Sequence, residues 1–127
     1  MSTEDALRGL VAALCQQGFK VIVTSNQGEL LNIQADVWRL RAASARTHRA
    51  TGCASAKLKT IIIFGTPEQL SDHDTVYAVL LHELGHLWPR ETHDELLAWQ
   101  RAFDMAEVVT DGMRVVRAQA LASYGLQ

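Results

Sequence analysis

The chain has 127 residues, 48% of them hydrophobic and 20% charged, which is one domain's worth of core (1–127) with the balance of an ordinary globular protein. Its net charge of −2 removes the electrostatic reason to expect nucleic acid or an anionic membrane as partner. The two cysteines, Cys15 and Cys53, form no spaced framework, which favours a reducing compartment over a secretory one, and Cys53 reads as a small buried hydrophobe.

Ser2-Thr3-Glu4-Asp5 is a helix-start signal, and Leu7, Leu10, Val11 and Leu14 follow at helical spacing until Gly18, which is placed to end the helix. Acidic residues at the front and the lack of a long apolar run argue against a signal peptide or membrane span, so the expected location is cytoplasmic. Phe19–Thr24 is β-branched and bounded by Gly18 and Ser25-Asn26, as in a first strand. The next stretch fits two periods. Leu31, Ile33, Ala35 and Val37 alternate as in a strand, yet Leu30, Ile33, Val37 and Leu40 fit a helix that Asn26 and Glu29 can box, and a helix over roughly 28–44 is preferred.

Basic side chains follow (Arg39, Arg41, Arg46, Arg49, Lys57, Lys59) among Ala, Ser and Thr without interleaved aromatics, together with His48. They read as a solvated face or loop rather than a nucleic-acid patch. Lys59–Phe64 is the clearest strand, stopped by Gly65-Thr66-Pro67, and its unbroken apolar run implies burial on both faces, with a helix against one of them.

That helix carries the chemistry. Tyr77 to Trp88 encloses His82-Glu83-Leu84-Gly85-His86, an HExxH motif in an apolar, helix-compatible run. Ser71 or Asp72 can cap it and Pro89 stops it. At 3.6 residues per turn, His82 and His86 lie one above the other and both reach a single metal ion, Zn2+ by motif. Glu83 is rotated by about 100° from His82 and flanks the metal, where a general base for an activated water belongs. Thr75, Val79, His82 and His86 share one stripe, while Val76, Leu80, Leu84 and Leu87 can face a core. His73 falls on the opposite face and reads as a surface residue.

Thr92-His93-Asp94-Glu95 begins a further helix through Leu96, Trp99, Ala102, Phe103 and Ala106 to about Val109. Gly112 marks a break before a last helix with Met113, Val116, Ala120 and Leu121. A catalytic zinc takes three protein ligands, and the acidic or imidazole candidates after Pro89 are Glu91, His93, Asp94 and Glu95. Glu95 precedes Ala98, Ala102 and Met105 on a face that can pack tightly on the metal helix. Asp94 and His93 stay open as alternatives, as does a Glu95 that only boxes with Thr92 at the helix start. An oxyanion-stabilising side chain is also expected, with His93 and Tyr124 as candidates.

A strand, a helix bearing His82-Glu83-Leu84-Gly85-His86, and a helix opening Glu95-x-x-Ala98-Trp99 resemble the compact gluzincin metallopeptidases, in particular the ImmA/IrrE-like and related small phage-type peptidases. The resemblance covers about residues 60–106. It implies a zincin-like α+β fold, mainly helical with a short sheet packed on the metal helix. It also implies His82, His86 and Glu95 as zinc ligands, Glu83 as the base, and a protein or peptide substrate. An extended peptide is then expected to add to a sheet edge offered by Thr60–Phe64. Two other readings compete: a non-catalytic, zinc-stabilised regulator that docks on a host or partner protein, and a helical interaction protein without metal. The intact Glu83 argues against the first, since a structural site needs no base.

Overall fold

A computed structural model describes residues 1–25 and 51–126. In chain order these form α1 (Thr3–Gln16), β1 (Lys20–Thr24), β2 (Thr51–Ser55), β3 (Thr60–Phe64), α2 (Pro67–Leu70), α3 (His73–Leu87), α4 (Glu95–Met105) and α5 (Asp111–Ser123). Among the described residues, five helices and a three-stranded mixed sheet make an α+β arrangement. The expected helix over 28–44, His48 and the basic residues from Arg39 to Arg49 lie outside the described residues.

Local signals set most of the boundaries. Ser2 caps α1 by accepting from the Asp5 amide at 3.1 Å. Gly18 follows that helix at φ +87°, in the left-handed region that favours glycine. Thr66 and Gln69 form a capping box on α2. Asp72, not Ser71, caps α3, and Pro89 follows its last residues Leu87 and Trp88.

The sheet order is β1-β3-β2, with β1 parallel and β2 antiparallel to β3. This corrects one expectation. Thr60–Phe64 is the central strand, its backbone groups engaged on both sides, so it offers no edge to a peptide. The reason lies in its composition: Ile61, Ile62 and Ile63 are at most 1% exposed, and a strand apolar on both faces is most stable in the middle of a sheet. Ile61 and Ile63 pack with Leu14, Val76, Val79 and Leu80 beneath α1 and α3, while Ile62 packs on the other face with Cys53, Ile22 and Phe64. Cys53 is buried, as its composition suggested.

Helix α3 is the hub. Val76–Glu83 and Gly85 are all buried, so its apolar surface wraps nearly all the way round, as in a core helix. One side meets the sheet and α1; another places Tyr77, Ala78 and Leu81 in a second cluster with Trp99 and Ala102 of α4 and Met113 of α5. The approach of α4 is set by Gly85. A Cβ there would stand 2.3 Å from the carbonyl oxygen of Ala98, a backbone atom with nowhere to go. Arg101 ties the same two helices by donating to the Gly85 and Arg90 carbonyls at 3.1 and 2.7 Å. Gly85→Ala is therefore expected to cost about 1–3 kcal/mol or more through overpacking and to draw Glu95 away from His82. Thermal melts with and without added metal check this: an unchanged melting temperature and unchanged metal response would contradict it.

Helix α4 ends at Met105, short of the expected Val109. Ala106 turns to φ −65°, ψ 131°, the Glu107 amide donates to the Tyr77 hydroxyl at 3.0 Å, and Thr110 caps α5. The break thus precedes Gly112, which sits in the first turn of α5 against Asp74. Among the described residues, no helix is long and apolar enough to cross a membrane.

Candidate metal centre

Helix α3 presents His82 and His86 from successive turns, and α4 presents Glu95 from its first residue. His82 Nε2 lies 2.8 Å from Glu95 Oε1, His86 Nε2 lies 3.2 Å from Glu95 Oε2, and the two Nε2 atoms are 3.1 Å apart. One ligand atom from each of these residues falls within 4.8 Å of the others, so the group could hold a metal ion. Two imidazole nitrogens and a carboxylate oxygen form a donor set suited to a first-row divalent cation.

The outer nitrogens are held as such a centre requires. His86 Nδ1 stands 2.9 Å from the Thr92 carbonyl. A carbonyl only accepts, so Nδ1 carries a proton, and once the ring is neutral the Nε2 lone pair is the one that faces the cluster. His82 Nδ1 stands 3.0 Å from Glu83 Oε2, which fixes the second imidazole in the same sense. The ring of His82 is stacked on Trp99 at 4.3 Å and 10°, and His86 meets it edge-on at 4.6 Å.

The loop from His86 to Asp94 makes Glu95 the convergent carboxylate. The Thr92 amide donates to the His86 carbonyl at 2.8 Å, and Thr92 Oγ1 accepts from the Asp94 amide at 3.1 Å. Asp94 is exposed and spends its carboxylate capping α4 at the Leu97 amide. His93 is exposed as well. Thr92 and Asp94 thus do the capping that Glu95 was alternatively expected to do. His73 is a surface residue near Glu4.

Glu83, His82, His86, Glu95 and Tyr124 line one open cavity, whose other walls come from Thr51 and Gly52 of β2, from Val79 and Trp99, and from Val116 and Ala120 of α5. Of the two oxyanion candidates, Tyr124 lines this cavity and His93 does not. Gly52 matters by its missing side chain: a Cβ there would stand 2.6 Å from Glu83 Cγ. In the sequence Thr51-Gly52 falls inside the stretch that reads as a solvated face or loop. A glycine inside a short β-compatible run, the mark of close backbone approach, was the available signal.

The electrostatics follow from the packing. Burial by itself would lower the His82 pKa, but hydrogen bonds and charge from Glu83 and Glu95 outweigh it and raise the group from 6.5 to about 9. His86 is raised as well: burial opposes, and the hydrogen bond to Glu95, the charge of Glu83 and the hydrogen bond to the Thr92 carbonyl together outweigh it. Burial would raise Glu95, but its bonds to His82 and His86 bring it from 4.5 down to about 2. Without metal, the raised His82 contributes stability that is complete below pH 6.5 and is lost as pH rises through about 9. The depressed Glu95 contributes stability that is complete above pH 4.5 and is lost as pH falls through about 2. A metal ion needs the imidazoles neutral, so its affinity rises with pH over the range in which the metal-free chain weakens. Melts in chelator are expected to fall between pH 6.5 and 9 and melts in excess metal to fall less; parallel curves would contradict the linkage.

No protein-family model, no curated protein and no solved structure matches the chain.

Proposed function

We propose that this chain is a zinc-dependent metallopeptidase of the compact gluzincin type, with a zincin-like fold, His82, His86 and Glu95 as ligands and Glu83 as general base. The observation that carries the reading is the convergence of His82 Nε2, His86 Nε2 and the Glu95 carboxylate in a cavity that Glu83 also lines. When bound there, zinc supplies Lewis acidity and brings the pKa of a water ligand to about 7.

The chain's own groups do the remaining work. Neutral His82 and His86 present Nε2, their Nδ1 protons anchored on Glu83 and Thr92. Glu83 takes a proton from the attacking water on a carboxylate oxygen and returns it to the leaving amine. Tyr124, which lines the cavity, is the candidate donor to the oxygen of the scissile carbonyl. Val79, Val116 and Ala120 give the cleft apolar walls that limit bulk water.

The non-catalytic reading keeps one observation in its favour. The 3.0 Å contact of Glu83 with His82 Nδ1 is also what a purely structural site would use to orient its ligand. Metal analysis of the purified chain, followed by digestion of a mixed peptide library with mass-spectrometric readout, separates the readings. One zinc per chain with cleavage supports the peptidase, one zinc without cleavage supports the regulator, and no zinc removes both.

A further inference from the structure

We propose that Trp99 is the positioning residue for His82, its indole face fixing the plane of the imidazole and favouring the positive charge that a bound divalent cation places on that ring. The inference rests on the metal-binding reading above. Glu95 and Trp99 are four residues apart on α4, and so project from the same side of the helix. Glu95 meets His82 at Nε2 and Trp99 lies flat on its face, 4.3 Å away and within 10° of parallel. One helix turn therefore delivers a ligand and the support of a second ligand.

Trp99 is 2% exposed and lies in the core shared by α3, α4 and α5, where an apolar filler would suffice for packing. Its Nε1–H is buried and meets no hydrogen-bond acceptor among the described residues. A buried indole normally finds an acceptor, and leaving the donor unmet is costly. Phenylalanine would carry an aromatic ring here without that cost. The indole is thus not held for its hydrogen bond, and what it adds over phenylalanine is a larger and more electron-rich face, the strongest among side chains for a cation. Phe103 supports the indole from its own side, edge-on at 6.2 Å, and Arg117 covers Phe103 at 4.1 Å from the ring centroid. The stack is braced from the helix surface inward to His82.

The test compares Trp99→Leu and Trp99→Phe with the wild-type chain, reading zinc affinity, the melting temperature in chelator, and the visible spectrum of the cobalt-substituted protein. Zinc affinity is expected to fall by about tenfold or more in Trp99→Leu, the range for losing a group that orients a ligand, and by less in Trp99→Phe. The cobalt bands, which report ligand geometry, shift in Trp99→Leu and return toward wild type in Trp99→Phe. A core filler without a role at the metal would lower the melting temperature in chelator while leaving affinity and cobalt bands unchanged, and that result overturns the proposal. If Trp99→Leu does not fold without metal, the zinc affinity of Trp99→Phe decides alone: a measurable loss supports the contribution of the indole face, and affinity equal to wild type overturns it. A wild-type chain that takes up no zinc overturns the functional reading itself, whereas full zinc uptake with variants equal to wild type overturns only the role of Trp99.

Discussion

His86→Ala is expected to purify without stoichiometric zinc and to melt far below the metal-loaded wild-type chain. A metal ion held by this group would draw on three donors from two helices, so its binding free energy would also be free energy of holding α3 against α4. Structural zinc sites bind with apparent energies of about 10–16 kcal/mol at neutral pH; a three-ligand site with an open position recovers less, yet enough to dominate a fold of this size. In chelator the gap should shrink, because both chains then rely on the same apolar clusters. It should not vanish, since Glu95 keeps only one of its two imidazole partners once His86 is removed. Elemental analysis and calorimetry with and without chelator check both halves. Wild-type zinc content near zero after metal-replete purification would end the peptidase reading.

The parts of this arrangement that were legible in the sequence are those encoded locally. The metal helix has its cap, its stop and its two stripes within one short stretch, and the stripe of Val79, His82 and His86 does face the cavity. Glu95 was legible by the same logic, since Ala98 and Ala102 on its helix are fully buried and only small side chains allow α4 to come that close. What was not legible depends on partners remote in sequence. The apolar run Thr60–Phe64 announces burial but not which strands flank it, and the edge assigned to it belongs instead to an interior position. Thr51–Ser55 has little strand propensity of its own. It becomes a strand because β3 provides the ladder, and Gly52 is tolerated there because Glu83 needs the space. The end of α4 at Met105 likewise depends on a remote partner: the Tyr77 hydroxyl that accepts from the Glu107 amide sits on another helix. The stack of Trp99 on His82 has no periodic signature at all, since a tryptophan at that position fits an ordinary core helix equally well.

Glu83→Gln is expected to bind zinc much as the wild-type chain does while losing hydrolysis by about 100- to 10,000-fold, the range for removing a positioned acid–base group. The side chain is 2% exposed and fitted against Gly52, so an isosteric amide keeps the packing. It also keeps the contact that matters for the metal: the glutamine oxygen still accepts from His82 Nδ1 at the place where Oε2 now stands, 3.0 Å away. What it cannot do is take a proton from water. Glu83→Ala removes both functions, so zinc affinity should drop as well, by about 10- to 100-fold for the loss of an orienting carboxylate. The pair of variants therefore divides the two roles that one carboxylate can play here. If Glu83 only orients His82, any activity found in the wild-type chain should survive in Glu83→Gln and fall in Glu83→Ala in step with zinc occupancy. If Glu83 is the base, Glu83→Gln should be inactive with zinc fully bound. Activity equal to wild type in a zinc-loaded Glu83→Gln chain would remove Glu83 from the chemistry and leave it as the residue that holds His82 in place.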